Sequence, residues 1–456
     1  MIPPDRVVTP TRHDSVARSA SQLLGGPLGK YADPLARGWR RLAAVLAGLV
    51  ALPMAASVWL RGYCLETGWP APGQFFHMCF SDLPATYTGQ GLQQGLGGLL
   101  AGLPESPAPA HPPLTSLLLA WTGGLVPHGS TAEQLRFFFG VWAVLATVLA
   151  ALLVWWTAGS TPRTPMRAAH LAFSPVLALT ALISPDIAGV ALTGAGLFAW
   201  SRIRPLTAGV LLGLAIAART YPLLVLLAIL FVALRAGRWR AALPTISVAL
   251  STAAAVFVLL HSRNGPAASA AYLSWLDSGA GFGSPWVLPQ LAGSEIPAPI
   301  LSVLAIGGWL VAVLVGGYVA LSGTRRPGVA EISLIMVAIV LVTGKSFPVQ
   351  SSLWLVPLVA LVGLRWRDHL IWAACEALHF GGVWLHIAGQ SVPERGLPVG
   401  WYAVTLTARV CGVLWLAWQT RVLLRERLPA AIDGEESDPL AGPLSGADDA
   451  LVVQLR

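Results

Sequence analysis

A few ionisable side chains stand between long apolar runs, and Asp82 is the one most able to do chemistry. It lies in the segment CFSDLP at 79–84, shortly after the first apolar run, and Tyr87 follows it. A carboxylate in an aromatic-rich loop can act as general base towards a hydroxyl. The same segment also has the form of a helix start, in which case Asp82 only caps a helix. Both interpretations stay open on the residues alone.

Two cations stand in short connections that we expect at the outer ends of helices. Arg219 lies in ARTYP at 218–222 and Lys345 in GKSFP at 344–348, and the apolar runs around each carry inner-face arginines at their other ends. Two cations at helix ends suit a phosphate by charge and by hydrogen bonding. The alternative is that each side chain extends to the lipid headgroups.

Several other polar residues lie inside or beside the apolar runs. Asp186 is predicted to pair with Arg219, to cap the next helix, or to touch a sugar. Glu376 and His379 are three residues apart, so they share a helix face, and we expect them to line a cavity. Arg409 falls inside the last run and is predicted to pair with a carboxylate, because an unpaired charge inside a membrane is costly.

Aromatic residues and cysteines add further alternatives. Trp354 fits either an interfacial belt or a platform on which a sugar stacks, and His111 is interpreted as structural. Cys64 and Cys79 lie in one loop and can form a disulfide if that loop faces an oxidising compartment. We find no Cys/His metal spacing and no Gly-rich nucleotide loop, so no metal and no nucleotide cofactor are expected.

Composition decides which elements must position these residues. Of the 456 residues, 55% are hydrophobic and only 11% are charged, against roughly 25% charged in soluble proteins. The apolar residues form repeated runs of roughly fifteen to twenty-five, about the length that crosses a bilayer. These features exclude a soluble enzyme, a DNA-binding factor and a disordered scaffold. We therefore predict an all-α polytopic membrane protein in contact with membrane lipids, without a nucleic-acid partner.

The arginines indicate the topology, because short cytoplasmic loops carry an excess of positive charge. Arg clusters between apolar runs predict about twelve transmembrane helices, near 41–60, 134–157, 168–183, 187–201, 205–218, 221–234, 241–261, 298–322, 329–343, 350–364, 369–388 and 400–420. Residues 1–38 form a predicted cytoplasmic tail, 39–428 the membrane domain, and 429–456 a disordered cytoplasmic tail. The outer loops are expected at about 61–133 and 262–297, and residues 113–126 of the first form a partly embedded helix.

Four stretches occur in order along the chain: CFSDLP at 79–84 with Tyr87, SPDIAG at 184–189 followed by AARTYPL at 217–223, GFGSPW at 281–286, and GKSFPVQSSLWLVP at 344–357. Together they resemble the GT-C polyprenol-phosphate-sugar glycosyltransferases, and within them glycosyltransferase family 87, which includes actinobacterial polyprenol-phosphate-mannose-dependent α-mannosyltransferases. EALHF at 376–380 fits as well. The fourth stretch departs from the family's pattern, because Val349 separates a proline and a glutamine that are usually adjacent.

The resemblance implies an inverting transfer of a hexose, with mannose as the sugar the family suggests. Asp82 would take the proton of an acceptor hydroxyl, and the leaving polyprenyl phosphate would be held by Arg219 and Lys345. The other residues expected to bind substrates are Tyr87, Asp186, Gln350, Trp354, Glu376 and His379. A lipid-linked donor needs no cofactor, and the acceptor would be a glycolipid, a lipoglycan or another cell-envelope hydroxyl outside the plasma membrane.

A transporter or lipid flippase is the alternative from another class. It explains the many apolar runs and the intramembrane Glu376. It explains less well a carboxylate in an outer loop beside two outer cations. It also predicts an internal repeat, and the sequence contains none strong enough to recognise.

Overall fold

The computed structural model describes residues 39–102, 111–323, 325–426 and 438–453, and all regular structure in these ranges is helical. The helices are α1 Trp39–Leu49, α2 Ala51–Trp59, α3 Gly62–Thr67, α4 Gly73–Phe76, α5 Asp82–Gly89, α6 Gly95–Ala101, α7 Pro113–Gly123, α8 Thr131–Ser160, α9 Ala169–Ala172, α10 Pro175–Thr180, α11 Asp186–Ser201, α12 Pro205–Ala218, α13 Pro222–Arg235, α14 Trp239–Arg263, α15 Gly265–Asp277, α16 Val287–Leu291, α17 Ala298–Leu321, α18 Val329–Thr343, α19 Val356–Val362, α20 Trp366–Ser391 and α21 Val399–Glu426. Short 3₁₀ turns are Leu92–Gln94, Pro165–Ala168, Val349–Trp354, Pro393–Arg395 and Gly442–Leu444.

Long apolar helices confirm the prediction of an all-helical, multi-pass membrane protein. Six helical segments are long and apolar enough to cross a membrane, namely Trp39–Trp59, Thr131–Ser160, Trp239–Arg263, Ala298–Leu321, Trp366–Ser391 and Val399–Arg425. Their outward side chains are apolar and open, for example Val303 at 69% and Leu314 at 62% exposure. Such surfaces are stable against lipid and would be costly against water.

Shorter apolar helices of 10–17 residues lie between the long ones. Each of the twelve predicted segments contains helical structure, but three are divided: 41–60 into α1 and α2, 168–183 into α9 and α10, and 350–364 into a 3₁₀ turn and α19. Pro175 starts α10 because proline has no N–H to donate to the preceding turn. The short helices are covered by protein, as α11 and α18 show by the burial of most of their residues. Short helices are tolerated at membrane depth where other parts of the protein cover them.

The two long connections, described at 61–102 with 111–130 and at 264–297, meet at one end of the bundle, which we call the loop face. The Asn264 side chain donates a 2.9 Å hydrogen bond to the Leu99 carbonyl and so joins the two connections. Cys64 and Cys79 form a disulfide within the first connection. The sequence had left open whether these two cysteines are joined or free. The predicted embedded piece is the helix α7.

The C-terminal segment 438–453 departs from the disorder expected of 429–456. Leu440 and Leu444 are buried, and the Trp200 indole donates a 2.9 Å hydrogen bond to the Leu440 carbonyl. Asp449 forms a 2.7 Å ion pair with Arg235 at the end of α13. The segment thus packs on the end of the bundle that carries the arginines, which we call the arginine face. The expected N-terminal tail, 1–38, and residues 427–437 lie outside the described residues.

Candidate functional site

Asp82 is the first residue of α5, and backbone contacts fix its position. Ser81 caps the helix, since its hydroxyl accepts from the Leu83 N–H at 3.3 Å and donates to the Leu182 carbonyl at 2.7 Å. The Asp82 N–H donates to the Ile183 carbonyl at 2.7 Å. The sequence therefore predicted a helix start correctly, but the cap is Ser81. The Asp82 carboxylate does not cap the helix and is therefore available to contact other groups.

Gln350 is a hydrogen-bond partner of that carboxylate. Its side-chain amide donates to Asp82 Oδ2 at 3.2 Å. Gln350 lies in the 3₁₀ turn Val349–Trp354, where Val349 is buried. The inserted valine therefore packs inward while the following glutamine reaches the carboxylate.

Asp186 and Arg219 form an ion pair at the adjoining helix ends. Arg219 Nε donates to Asp186 Oδ1 at 2.9 Å, and Nη2 contacts the same oxygen. Ser184 donates to Oδ1 at 2.8 Å and the Trp354 indole to Oδ2 at 2.9 Å. Trp354 stacks on Tyr221 with ring centroids 4.7 Å apart. Of the alternatives from the sequence, Asp186 therefore pairs with Arg219, and Trp354 is held between Asp186 and Tyr221.

We call Asp82, Asp186, Arg219, Gln350 and Trp354 the carboxylate cluster. Asp186 is buried, whereas the other four are half-buried, so the cluster is partly open. Burial and the charge of Asp186 outweigh the attraction of Arg219, and together they raise the pKa of Asp82 to about 7. A carboxyl group with that pKa exchanges its proton near neutral pH, as a general base requires.

His111 stands beside the same ion pair. Burial, helped by the charge of Arg219, lowers the pKa of His111 to about 3, against the opposing charge of Asp186. The imidazole is therefore neutral at physiological pH and changes no charge there. The sequence offered only a lone histidine before two prolines, which did not connect it to residues seventy or more positions later.

Lys345 is engaged away from the carboxylate cluster. Its side chain is fully buried, and Nζ donates to the Leu276 carbonyl at 3.1 Å, the Ser278 carbonyl at 3.0 Å and Ser302 Oγ at 2.8 Å. An ammonium has three donors, so all of them are used, two at the end of α15 and one on Ser302 of α17. The ammonium also lies 4.3 Å from the ring centroid of Trp275. This geometry does not support direct phosphate binding by Lys345.

Three further predicted residues lie apart from the cluster. Glu376 accepts from Arg409 Nε at 2.8 Å and from the Trp372 indole at 3.0 Å, which confirms that Arg409 pairs with a carboxylate. His379 is buried, and neither ring nitrogen has a hydrogen-bond partner among the described residues. Tyr87 is buried against Phe138, and its hydroxyl likewise lacks a partner there. None of the described hydrogen bonds joins these three to the cluster.

Arg61 is a residue that sequence reasoning did not single out for the site. It is fully buried at the end of the first span, and it donates to the Leu179 carbonyl at 2.7 Å and to Ser57 Oγ at 3.0 Å. It thus fixes the end of α10, just before the carbonyls that hold Ser81 and Asp82. Its place directly after an apolar run was a usable signal, because an arginine there must find acceptors.

In the described ranges, no three His, Cys, Asp or Glu side chains are grouped so as to hold a metal ion.

No family model and no curated protein matches the sequence. Among solved structures, the chain is similar to ArnT from Cupriavidus metallidurans bound to undecaprenyl phosphate. The TM-score is 0.44 at 13% sequence identity, and the alignment covers 82% of this chain and 78% of that one.

Proposed function

We propose that this chain is an integral-membrane glycosyltransferase that moves a hexose from a polyprenyl-phosphate donor to an acceptor hydroxyl. The observation that carries the proposal is the Asp82 carboxyl group, half-buried at the loop face with a pKa of about 7 beside the Asp186–Arg219 pair. The motif resemblance supports the same activity. It also suggests mannose as the sugar and a cell-envelope glycolipid or lipoglycan as acceptor.

The proposed reaction is a single displacement with inversion. The acceptor oxygen attacks the anomeric carbon while its proton passes to an Asp82 carboxylate oxygen. The bond between the anomeric carbon and the phosphate oxygen breaks, and the polyprenyl phosphate leaves with the electron pair. A base whose pKa lies near the working pH combines a useful ionised fraction with sufficient basicity.

Arg219 is the proposed partner of the leaving phosphate. A guanidinium has five N–H donors. The described contacts use Nε and Nη2 towards Asp186 and Nη1 towards the Ala218 carbonyl, so one N–H on each terminal nitrogen is available. Two such donors suit two phosphate oxygens. Asp186 holds the guanidinium plane in place.

The loop face is the proposed extracytoplasmic side of the plasma membrane, with both termini cytoplasmic. The distribution of arginines supports this orientation, and the disulfide between Cys64 and Cys79 is typical of an oxidising compartment. A donor with its lipid in the bilayer would present its phosphate at the ends of α11 and α12.

The test is sugar transfer in membranes from a radiolabelled polyprenyl-phosphate mannose, at equal expression of each variant. Asp82→Asn should lower transfer by about 10²–10⁴-fold, the range for loss of a general base, while donor binding is kept. Glu295→Gln, which changes an exposed carboxylate at the same face, should leave the rate unchanged. Transfer at the wild-type rate in Asp82→Asn would exclude Asp82 as base. If the wild type transfers from no polyprenyl-phosphate hexose, the transporter or flippase interpretation replaces this one.

A further inference from the structure

We infer that Arg409, paired with Glu376, is a positioning residue for the carboxylate cluster. The pair holds the turn Val349–Trp354, and this turn delivers Gln350 to Asp82. The inference rests on the proposed function for its catalytic meaning. The geometry on which it depends is independent of which sugar or acceptor is used.

Arg409 donates hydrogen bonds to the two residues before that turn and to one residue in its middle. It is fully buried, and Nη1 donates to the Phe347 carbonyl. Nη2 donates to the Pro348 carbonyl at 3.0 Å and to Ser352 Oγ at 2.9 Å. The guanidinium carbon also lies 3.5 Å from the centroid of the Phe347 ring. Every nitrogen of the side chain is therefore engaged, with Nε taken by Glu376.

The positions of these contacts explain how they act on the site. Gln350 lies between Pro348 and Ser352, so the chain is anchored to one rigid, planar group two residues to either side of it. A 3₁₀ turn has poorer hydrogen-bond geometry than an α-helix, so its shape depends on outside support. Since the Gln350–Asp82 bond is 3.2 Å long, a small displacement of the turn is sufficient to break it.

Glu376 neutralises the buried guanidinium and fixes its plane. Its other oxygen accepts from the Trp372 indole at 3.0 Å, so both partners are held. A buried ion pair is often no more stabilising than apolar side chains of the same volume. Apolar side chains would not supply donors in fixed directions to three acceptors on one turn. The geometry therefore indicates that the Arg409–Glu376 pair orients the turn.

The charges around the two sites differ. The charges that act on the Asp82 carboxyl group are those of Asp186 and Arg219. The neutral His111 lies beside that pair. Arg409 is affected by Glu376 and the Tyr402 hydroxyl, and His379 lies within reach of its charge. The described hydrogen bonds of Arg409 go to Glu376 and to the turn and its start, and none reaches Asp82. Its effect on Asp82 therefore passes through the turn that carries Gln350.

The first experiment compares Arg409→Lys, Gln350→Ala and the double variant in the transfer assay across pH. A hydrogen bond donated to a carboxylate favours the ionised form, so loss of the Gln350 contact should move the acid limb of the profile above pH 7. We expect Arg409→Lys to lower the rate about 10- to 100-fold and to move the limb in the same direction. The rate of the double variant should be about tenfold higher than the product of the two single losses predicts, because the two changes break one contact.

Arg235→Lys is the matched control. Arg235 is equally buried and donates to the carbonyls of Ala320, Ser322 and Gly323, but it lies at the arginine face. A general loss of stability would affect both variants alike, whereas only Arg409→Lys should move the pH profile. Multiplicative effects in the double variant, with an unmoved profile, would show that Arg409 only stabilises the fold. Glu376→Gln, which keeps an acceptor oxygen, gives the same comparison if Arg409→Lys does not fold.

A second measurement needs no activity and separates this inference from the proposed function. Cysteines introduced by Asp82→Cys and Gln350→Cys, with Cys375 and Cys411 changed to alanine, should be joined by a short bifunctional thiol reagent, because the Asp82–Gln350 contact is made by side-chain ends and leaves the Cβ atoms too far apart for a direct disulfide. Adding Arg409→Lys should slow crosslinking at least tenfold, and adding Arg235→Lys should not. Equal rates in all three backgrounds would overturn the positioning role even if transfer is confirmed. Slower crosslinking would uphold it even if no transfer is found.

Discussion

The indole nitrogen of Trp354 donates a 2.9 Å hydrogen bond to Asp186, a residue 168 positions earlier in the chain. The same indole ring stacks on Tyr221 at the start of α13. One side chain therefore connects the turn after α18 with the ends of α11 and α13. Because Asp186 also holds Arg219, the orientation of the proposed phosphate-binding guanidinium depends on this tryptophan.

Replacing Trp354 by phenylalanine removes the indole donor while retaining an aromatic ring against Tyr221. A hydrogen bond to a charged group contributes about 1.5–3 kcal/mol, and its loss frees one oxygen of Asp186 to rotate. We expect Trp354→Phe to raise the KM for the lipid donor about tenfold or more, with a smaller effect on kcat. Trp121→Phe, at a half-exposed position, is the control. An unchanged KM would show that Asp186 is held without the indole.

The pKa of Asp82 predicts the pH dependence of the reaction. With a pKa of about 7, the ionised base is lost by about tenfold for each pH unit below 7. The value of kcat/KM, which reports groups in the free enzyme, should therefore rise up to pH 7 and then level. His111 is not the source of such a limb, because its pKa is about 3. A limb centred near pH 4 would mean that Asp82 is more hydrated than its surroundings indicate.

The same carboxyl group predicts how stability changes with pH. The folded protein holds the Asp82 proton up to about pH 7, whereas an unfolded aspartate releases it near 3.9. Wild-type stability should therefore fall as pH rises through this interval, and Asp82→Asn should lack that component. We expect the melting temperature of Asp82→Asn in detergent to exceed that of the wild type by a margin that widens from pH 4.5 to 7. A margin that narrows would contradict the raised pKa.

Gly283 lies where the second long connection crosses the turn held by Arg409. Its φ is +87°, and an added Cβ would contact the Phe347 carbonyl and lie 2.6 Å from Arg409 Nη1. Gly283→Ala should therefore destabilise the protein by about 2 kcal/mol or more and lower transfer at least tenfold. Gly279→Ala, with no heavy atom within 4 Å of the new Cβ, should do neither. Melting curves and transfer rates of the two variants test this directly.

The fold was predictable because hydropathy is a local property of the chain. A run of apolar residues must bury its backbone polar groups in a helix at membrane depth, whatever its neighbours are. All twelve predicted segments accordingly contain helical structure, although three of them are divided. The division of 168–183 at Pro175 follows from a property of proline that the apolar count does not include.

The partners of the site residues were less predictable, because they depend on how distant helices pack. Asp186 had three possible roles in the sequence, and only the approach of α11 to α12 selects the pairing with Arg219. Lys345 was interpreted as a phosphate ligand because it stands at a helix end. Its acceptors at the end of α15 and on α17 lie 43 to 69 residues earlier, and no local pattern predicts them.

The C-terminal segment shows the same limit from the other side. Its acidic, Pro- and Gly-containing composition is typical of disorder, but composition does not reveal that a charge has a partner. Asp449 meets Arg235 across 214 residues, and Arg326 lies 3.7 Å from the same carboxylate. Leu440 and Leu444, four residues apart in an acidic tail, were the available sign that part of it packs.

Leu440 and Leu444 should therefore contribute to stability although they lie beyond the last membrane helix. Both are at most 1% exposed, and truncating a buried leucine to alanine costs about 2–5 kcal/mol. We expect each of Leu440→Ala and Leu444→Ala to lower the melting temperature of the full chain in detergent by several degrees. Leu451→Ala, at 44% exposure, should leave it unchanged. If all three variants melt with the wild type, the segment is not packed in solution and the carboxyl end contributes nothing to the arginine face.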